Sequence, residues 1–134
     1  MHILIVDDSP DRQELLGAVY SQHTVRSAVT AGQAIALIET HPFDIIHLDY
    51  DLDEGSNGQE ISRFLSERES DPLVIVHSDN PEGVGAILKD LPSAIPAPIG
   101  TFRTGSPLRS RLMSLLADPF FDNTDRLKEL LQPG

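Results

Sequence analysis

The chain has no cysteine, which excludes disulfides and thiolate metal sites. It is also short of basic residues. Ten Lys and Arg stand against 21 Asp and Glu, for a formal net charge of −11. Such a chain repels nucleic-acid phosphates, so binding to DNA or RNA backbone is excluded as the domain's own work. A cation, or a small phosphate that arrives with one, remains permitted. No apolar run is long enough to span a membrane. Met1-His2-Ile3 carries no basic segment, and Ile3–Val6 is too short for a signal-peptide core. The expectation is a soluble, cytoplasmic protein without a membrane partner. Internal repeats and low-complexity segments are absent as well. What is present is a chain of 134 residues, 40% hydrophobic and 23% charged, enough for one globular domain with a buried core.

Apolar runs and helix-start signals alternate along it. Ile3–Val6 reads as a buried strand ending in Asp7-Asp8, and Ser9-Pro10 supplies a helix N-cap and first position. Leu15, Leu16, Val19 and Tyr20 form that helix's apolar stripe. Thr24–Ala28 is a second strand, and Thr30 caps a helix over Ala31–Glu39 that His41-Pro42 stops. Ile45–Leu48 is a third strand, short and β-branched at its start. Asn57-Gly58 opens a helix over Gln59–Glu67, and Leu73–Val76 is a fourth strand. Asn80-Pro81 opens a helix through Leu88 that Gly83 and Gly85 weaken. Ala94–Ala97 is an edge strand that tolerates Pro96. Ser106-Pro107 begins a helix carrying Leu108, Leu112, Leu115 and Leu116, and Thr124–Leu131 is a final one. This alternation predicts an α/β fold. It is a doubly wound five-stranded parallel sheet, order 2-1-3-4-5, flavodoxin-like, with an extra C-terminal helix.

The acidic residues gather at strand ends. Asp49, Asp51, Asp53 and Glu54 follow the third strand, and Asp7 and Asp8 follow the first. In an open α/β sheet, ligands bind at the carboxyl ends of the strands, at the switch point, where strands one and three are neighbours. Asp7 and Asp8 are therefore expected beside Asp49. Two unit charges ~5 Å apart at an effective dielectric of ~20 repel by roughly 3 kcal/mol. Either one carboxyl holds a proton or a hard divalent cation neutralises the group, with Mg²⁺ the natural candidate. Asp49, at the centre, is placed to act as a nucleophile toward phosphorus, and Ser78, after the fourth strand, to donate a hydrogen bond to the phosphoryl group.

Ile3-Leu-Ile-Val-Asp7-Asp8, Asp44-Ile-Ile-His-Leu-Asp49 with Gly58 nine residues on, and Val74-Ile-Val-His-Ser78 together resemble the receiver domain of bacterial response regulators (CheY-like) over residues 1 to about 116. The resemblance implies an acidic pair at Asp7 and Asp8, a phosphoacceptor at Asp49 and a hydroxyl switch residue at Ser78. It also implies tuning positions at Asp51 and Asn80, and a Mg²⁺ shell that Asp51 completes. One departure is large: the Lys-Pro that receivers carry after strand five reads Ala97-Pro98 here. Arg103 reads as an exposed loop arginine, and Lys89 as a helix residue away from the site.

A second resemblance rests on Leu48-Asp-Tyr-Asp-Leu52 and His77-Ser-Asp-Asn-Pro81 with Gly83. These are similar to a divergent receiver-like family, also without the lysine, proposed to process cyclic phosphates. It implies roles for Asp49, Asp51, His77 and Asn80, with His77 a general acid or base. In a regular strand His77 and Ser78 point to opposite faces, so which of them faces the pocket stays open. His47, two residues before Asp49, reads as a core histidine.

The expectations are then a receiver-like domain over residues 1–116 and a helical extension over 117–134 that covers the core or meets a partner. Function divides between a stand-alone phosphorelay signalling receiver, a small phosphoesterase, and an interaction module without chemistry. The implied partners are a sensor kinase, a phosphotransfer protein or a downstream signalling protein.

Overall fold

In the computed structural model, which describes residues 1–132, the β/α alternation is realised in full. Strands β1 (His2–Val6), β2 (Thr24–Ala28), β3 (Ile45–Leu48), β4 (Leu73–Val76) and β5 (Ile95–Pro96) alternate with helices α1 (Pro10–Val19), α2 (Ala31–Thr40), α3 (Gly58–Ser66), α4 (Pro81–Asp90) and α5 (Pro107–Leu116). Helix α6 (Thr124–Leu131) follows. All strand pairs are parallel, in the order β2-β1-β3-β4-β5. The fifth strand is shorter than the Ala94–Ala97 expected: the Ala94 N–H turns back to Leu91 O, and Pro96 is tolerated because the ladder bond beside it is made by the Ala97 N–H to Val76 O.

The helix starts follow from local chemistry. Ser9, Asn80 and Ser106 each accept a backbone N–H from the third residue onward and are each followed by a proline. Thr30 caps α2 by accepting the Gln33 N–H. Asn57 and Glu60 form a reciprocal capping box at α3.

Side chains alternate across the sheet and divide the core in two. On one face Leu4, Val6, Ile46, Leu48, Val74 and Val76 pack against α2, α3 and α4 through Ala34, Ile38, Ile61, Leu65 and Ile87. On the other, Ile3, Ile5, Ile45, Leu73, Ile75 and Ile95 pack against Leu16, Val19 and Tyr20 of the α1 side and Leu112 and Leu116 of α5. Leu127 and Leu131 of α6 are buried in that second cluster. Each such buried aliphatic side chain contributes about 1.5–3 kcal/mol.

Candidate functional site

Four strands end at the same level, and the first residue past each is held by one more ladder bond. Asp7 N–H donates to Ala28 O (3.0 Å), Asp49 N–H to Val6 O (3.0 Å), His77 N–H to Leu48 O (3.1 Å) and Ala97 N–H to Val76 O (2.8 Å). Continuing the strand register puts Asp7, Asp49, His77 and Ala97 in one row across the sheet edge, on the face that α1 covers. Asp8, Tyr50 and Ser78 are the next residues along, past the last ladder bonds and outside that row.

This row decides what the sequence left open. His77 lies in the row, with Nε2 2.8 Å from Asp7 Oδ2. Ser78, expected to be the phosphate-facing hydroxyl, stands outside the row and accepts the Asn80 N–H at 3.1 Å. Ala97 is buried among apolar side chains. Among the described residues, the metal-ligand-type groups whose atoms lie within 4.8 Å of one another are Asp7, Asp49 and His77. Asp8, expected in that nest, is only half-buried and meets it through Arg12 Nη2 at 3.5 Å. Asp51 is exposed, and Arg103 and Lys89 are exposed and line no part of the cavity.

The residue that organises the group is Arg12. Its Nε donates to Asp7 Oδ2 at 2.7 Å and its Nη2 to Asp7 Oδ1 at 2.9 Å, a bidentate clamp. Nη2 also reaches Asp49 Oδ2 at 3.2 Å. Arg12 was missed in the sequence, although a signal existed. Ser9-Pro10 starts α1 at Pro10, so Arg12 sits in its first turn, four residues after Asp8, where a long side chain folds back toward the strand edge.

The electrostatics follow from this packing. Burial pushes the Asp7 carboxyl up, but His77, Arg12 and the Ser9 N–H outweigh it and hold the group at about 2. Its clamp on Asp7 raises the Arg12 guanidinium above its ordinary value. Asp49 moves the opposite way: burial and the neighbouring Asp7 charge raise it. Its Oδ1 accepts the Tyr50 N–H at 2.8 Å.

Two glycines allow the close approaches around Asp49. A Cβ at Gly58 would stand 2.3 Å from the Asp49 carbonyl oxygen, and one at Gly83 would stand 2.3 Å from Tyr50 Cγ. Gly83, which weakens the helix signal in the sequence, therefore lets the Tyr50 ring lie on the first turn of α4. The cavity above has a volume of about 430 Å³ and is lined by Asp8, Arg12, Asp49, Asp51, Ser78 and Asn80, with His77 and Asp79.

Magnesium does not suit this arrangement. The four acceptor positions of Asp7 are taken by the Ser9 N–H, two Arg12 donors and His77. Mg²⁺ wants near-octahedral oxygen ligands, whereas the close group offers a histidine nitrogen and a carboxylate already committed. The guanidinium lies where three carboxylates would converge on an ion.

A parallel 2-1-3-4-5 sheet with Asp7 and Asp49 clustered at its carboxyl edge defines a receiver domain of the response-regulator type. Within that class, a family model described as the cyclic-phosphate processing receiver domain matches residues 2–93, and the chain belongs to that family. The TorCAD operon transcriptional regulatory protein TorR of Escherichia coli O157:H7 is 34% identical over 77 residues, 56% of this chain and 33% of that protein. The match thus spans about a third of the relative's length. Among solved structures, the N-terminal domain of an uncharacterized Wolinella succinogenes protein aligns with TM-score 0.66 at 25% identity, over 88% of this chain and 91% of that one. The response regulator TrrA of Thermotoga maritima, solved with Mg²⁺ and BeF, aligns with TM-score 0.65 at 19% identity, over 84% and 96%. The latter likeness shows the fold alone.

Proposed function

We propose that this pocket opens a cyclic phosphodiester to a phosphomonoester. The observation that carries the reading is Arg12, clamped by Asp7 over the row, with Nη1 making no hydrogen bond among the described residues and the side chain about a third exposed to the cavity. A cyclic phosphodiester carries one negative charge, which one guanidinium matches. A phosphoryl group on Asp49 would be a dianion, and the pocket supplies neither the lysine nor a ready magnesium shell to balance it. The family's description points to the same substrate class.

In this reading Arg12 anchors the phosphate oxygens through Nη1. Asp49, raised above its ordinary value by burial and the Asp7 charge, takes a proton from a water as that water's oxygen bonds to phosphorus. The ring P–O bond breaks, and the departing oxygen takes a proton from solvent at the open rim. Asn80, Ser78 and Asp51 line the rim that meets the rest of the substrate. His77 has a fully buried side chain and acts through Asp7, so it is a positioning residue.

Incubation with a 2′,3′-cyclic nucleotide in the presence of a chelator, followed by ³¹P NMR, tests this. Phosphomonoester should accumulate, and Asp49→Asn and Arg12→Gln should abolish it. Absence of turnover in the wild-type protein, with and without divalent cations, refutes the reading.

The phosphorelay reading has one observation in its favour, the central position of Asp49 at the edge with 9% of its side chain exposed. Incubation with an acyl-phosphate donor and Mg²⁺, read by intact mass with Asp49→Asn as control, separates the two. A sensor kinase or phosphotransfer protein is the partner class in that case. In both readings we assign residues 1–116 to the chemistry and, within the 117–134 extension, helix α6 to covering the core, on the burial of Leu127 and Leu131; residues 133 and 134 lie outside the described residues.

A further inference from the structure

One row below the pocket, on the same sheet face, His47 stands between Ile5 and Ile75 in register. It is fully buried, as are Tyr20 above it and the His77 side chain beside it. Tyr20 Oη lies 2.5 Å from His47 Nε2. The His47 and His77 rings are 5.9 Å apart, centre to centre, and tilted by 46°. Nδ1 of His47 and Nδ1 of His77 are both buried, and neither has a hydrogen-bond partner among the described residues.

The donors can be assigned from their partners. Asp7 is an ionised carboxylate and only accepts, so His77 Nε2 carries the hydrogen that meets it. Burial keeps the proton on Tyr20 and keeps His47 neutral. Among the described residues Tyr20 Oη meets only His47 Nε2, so its O–H donates to that nitrogen, and the His47 hydrogen is on Nδ1. That leaves a buried N–H on His47 and an unpartnered Nδ1 on His77, on neighbouring rings that make no direct hydrogen bond to each other. An unpaired buried polar group costs about 1–3 kcal/mol, and buried waters with two or more polar partners relieve such pairs.

We infer that one buried water bridges Nδ1 of His47 and Nδ1 of His77, and that Tyr20, His47 and this water form a positioning chain holding the His77 ring with Nε2–H turned to Asp7. His77 is then fixed at both nitrogens. Asp7, the clamp on Arg12, is backed by a polar line that runs to the far side of the core at Tyr20. The chain does not depend on the proposed reaction. Its consequence for turnover does.

Long-range ¹H–¹⁵N NMR of the histidines in the full chain at neutral pH tests it without substrate. His47 should carry its hydrogen on Nδ1 and His77 on Nε2, with a nuclear Overhauser contact from the His47 Nδ1–H to a long-lived water. Tyr20→Phe, nearly isosteric, should abolish the single-tautomer signal of His47 and shift His77 Nδ1, while exposed His2 stays unchanged. A His47 hydrogen on Nε2 in the wild-type protein overturns the inference, as does a His77 that Tyr20→Phe leaves unmoved. A high-resolution crystal structure serves as the second measurement. Water density within hydrogen-bond reach of both Nδ1 atoms supports the chain, and a dry gap or a direct His47–His77 bond overturns it.

Discussion

The two faces of one sheet are built from alternate residues of the same strands, yet they do different work. The face under α2, α3 and α4 is aliphatic where the three central strands cover it, from Leu4, Ile46 and Val74 to Val6, Leu48 and Val76. The face under α1, α5 and α6 begins the same way, with Ile3, Ile45 and Leu73, then admits His47 in the next layer and Asp7, Asp49 and His77 in the last. Its polarity rises toward the carboxyl edge. The aliphatic face has only packing to lose, so its stability is spread over many side chains. The other concentrates its stakes in a few hydrogen-bonded groups, because each buried polar atom must find a partner.

The largest expected effect separates the faces at once. Arg12→Gln removes the clamp and strands the Asp7 charge, which should lower stability by roughly 3–5 kcal/mol in denaturant unfolding and abolish cyclic-nucleotide opening. A loss under about 1 kcal/mol would mean the pair behaves like a surface ion pair, and the contrast fails. Leu4→Ala on the aliphatic face should cost about 2–5 kcal/mol. Turnover per folded molecule should stay at the wild-type value.

The acid limb of the stability curve sharpens the contrast next. Asp7 sits at about 2 in the folded chain against an ordinary 3.8. Its contribution is therefore present above pH 3.8 and lost as pH falls through 2, and should amount to about 2 kcal/mol. Unfolding midpoints from pH 5 to 2 should show this loss in the wild-type protein and in Leu4→Ala but not in Asp7→Asn. Tyr20→Phe leaves His47 Nε2 without its donor and should cost about 1 kcal/mol by thermal denaturation. The smallest effect is a null one. Millimolar Mg²⁺ should leave the wild-type melting temperature unmoved, because Arg12 holds the position an ion would need. A clear rise in the wild-type protein would refute that arrangement.

Much of this was legible in the residues themselves. Short β-branched runs, Ser-Pro and Asn-Pro helix starts and the acidic strand ends carry the element order, the sheet order and the location of the site. These signals are local, so they survive without tertiary information. The site's membership was less legible. Asp8 and Ser78 looked equivalent to Asp7 and His77 in the sequence, since adjacent residues differ only in whether they lie in the row, and that depends on where each strand ends. Arg12 stayed hidden because its role comes from helix α1 returning over the sheet edge, a matter of distance in space and not of motif.

By itself the sequence determined a five-stranded parallel sheet with carboxylates at its carboxyl edge, because periodicity, capping and strand length are properties of neighbouring residues. Only the tertiary structure decided that Arg12 neutralises those carboxylates, that His77 and not Ser78 joins them, and that Tyr20 and His47 stand behind. Those contacts join residues up to 70 positions apart, and they exist only once packing has brought the elements together.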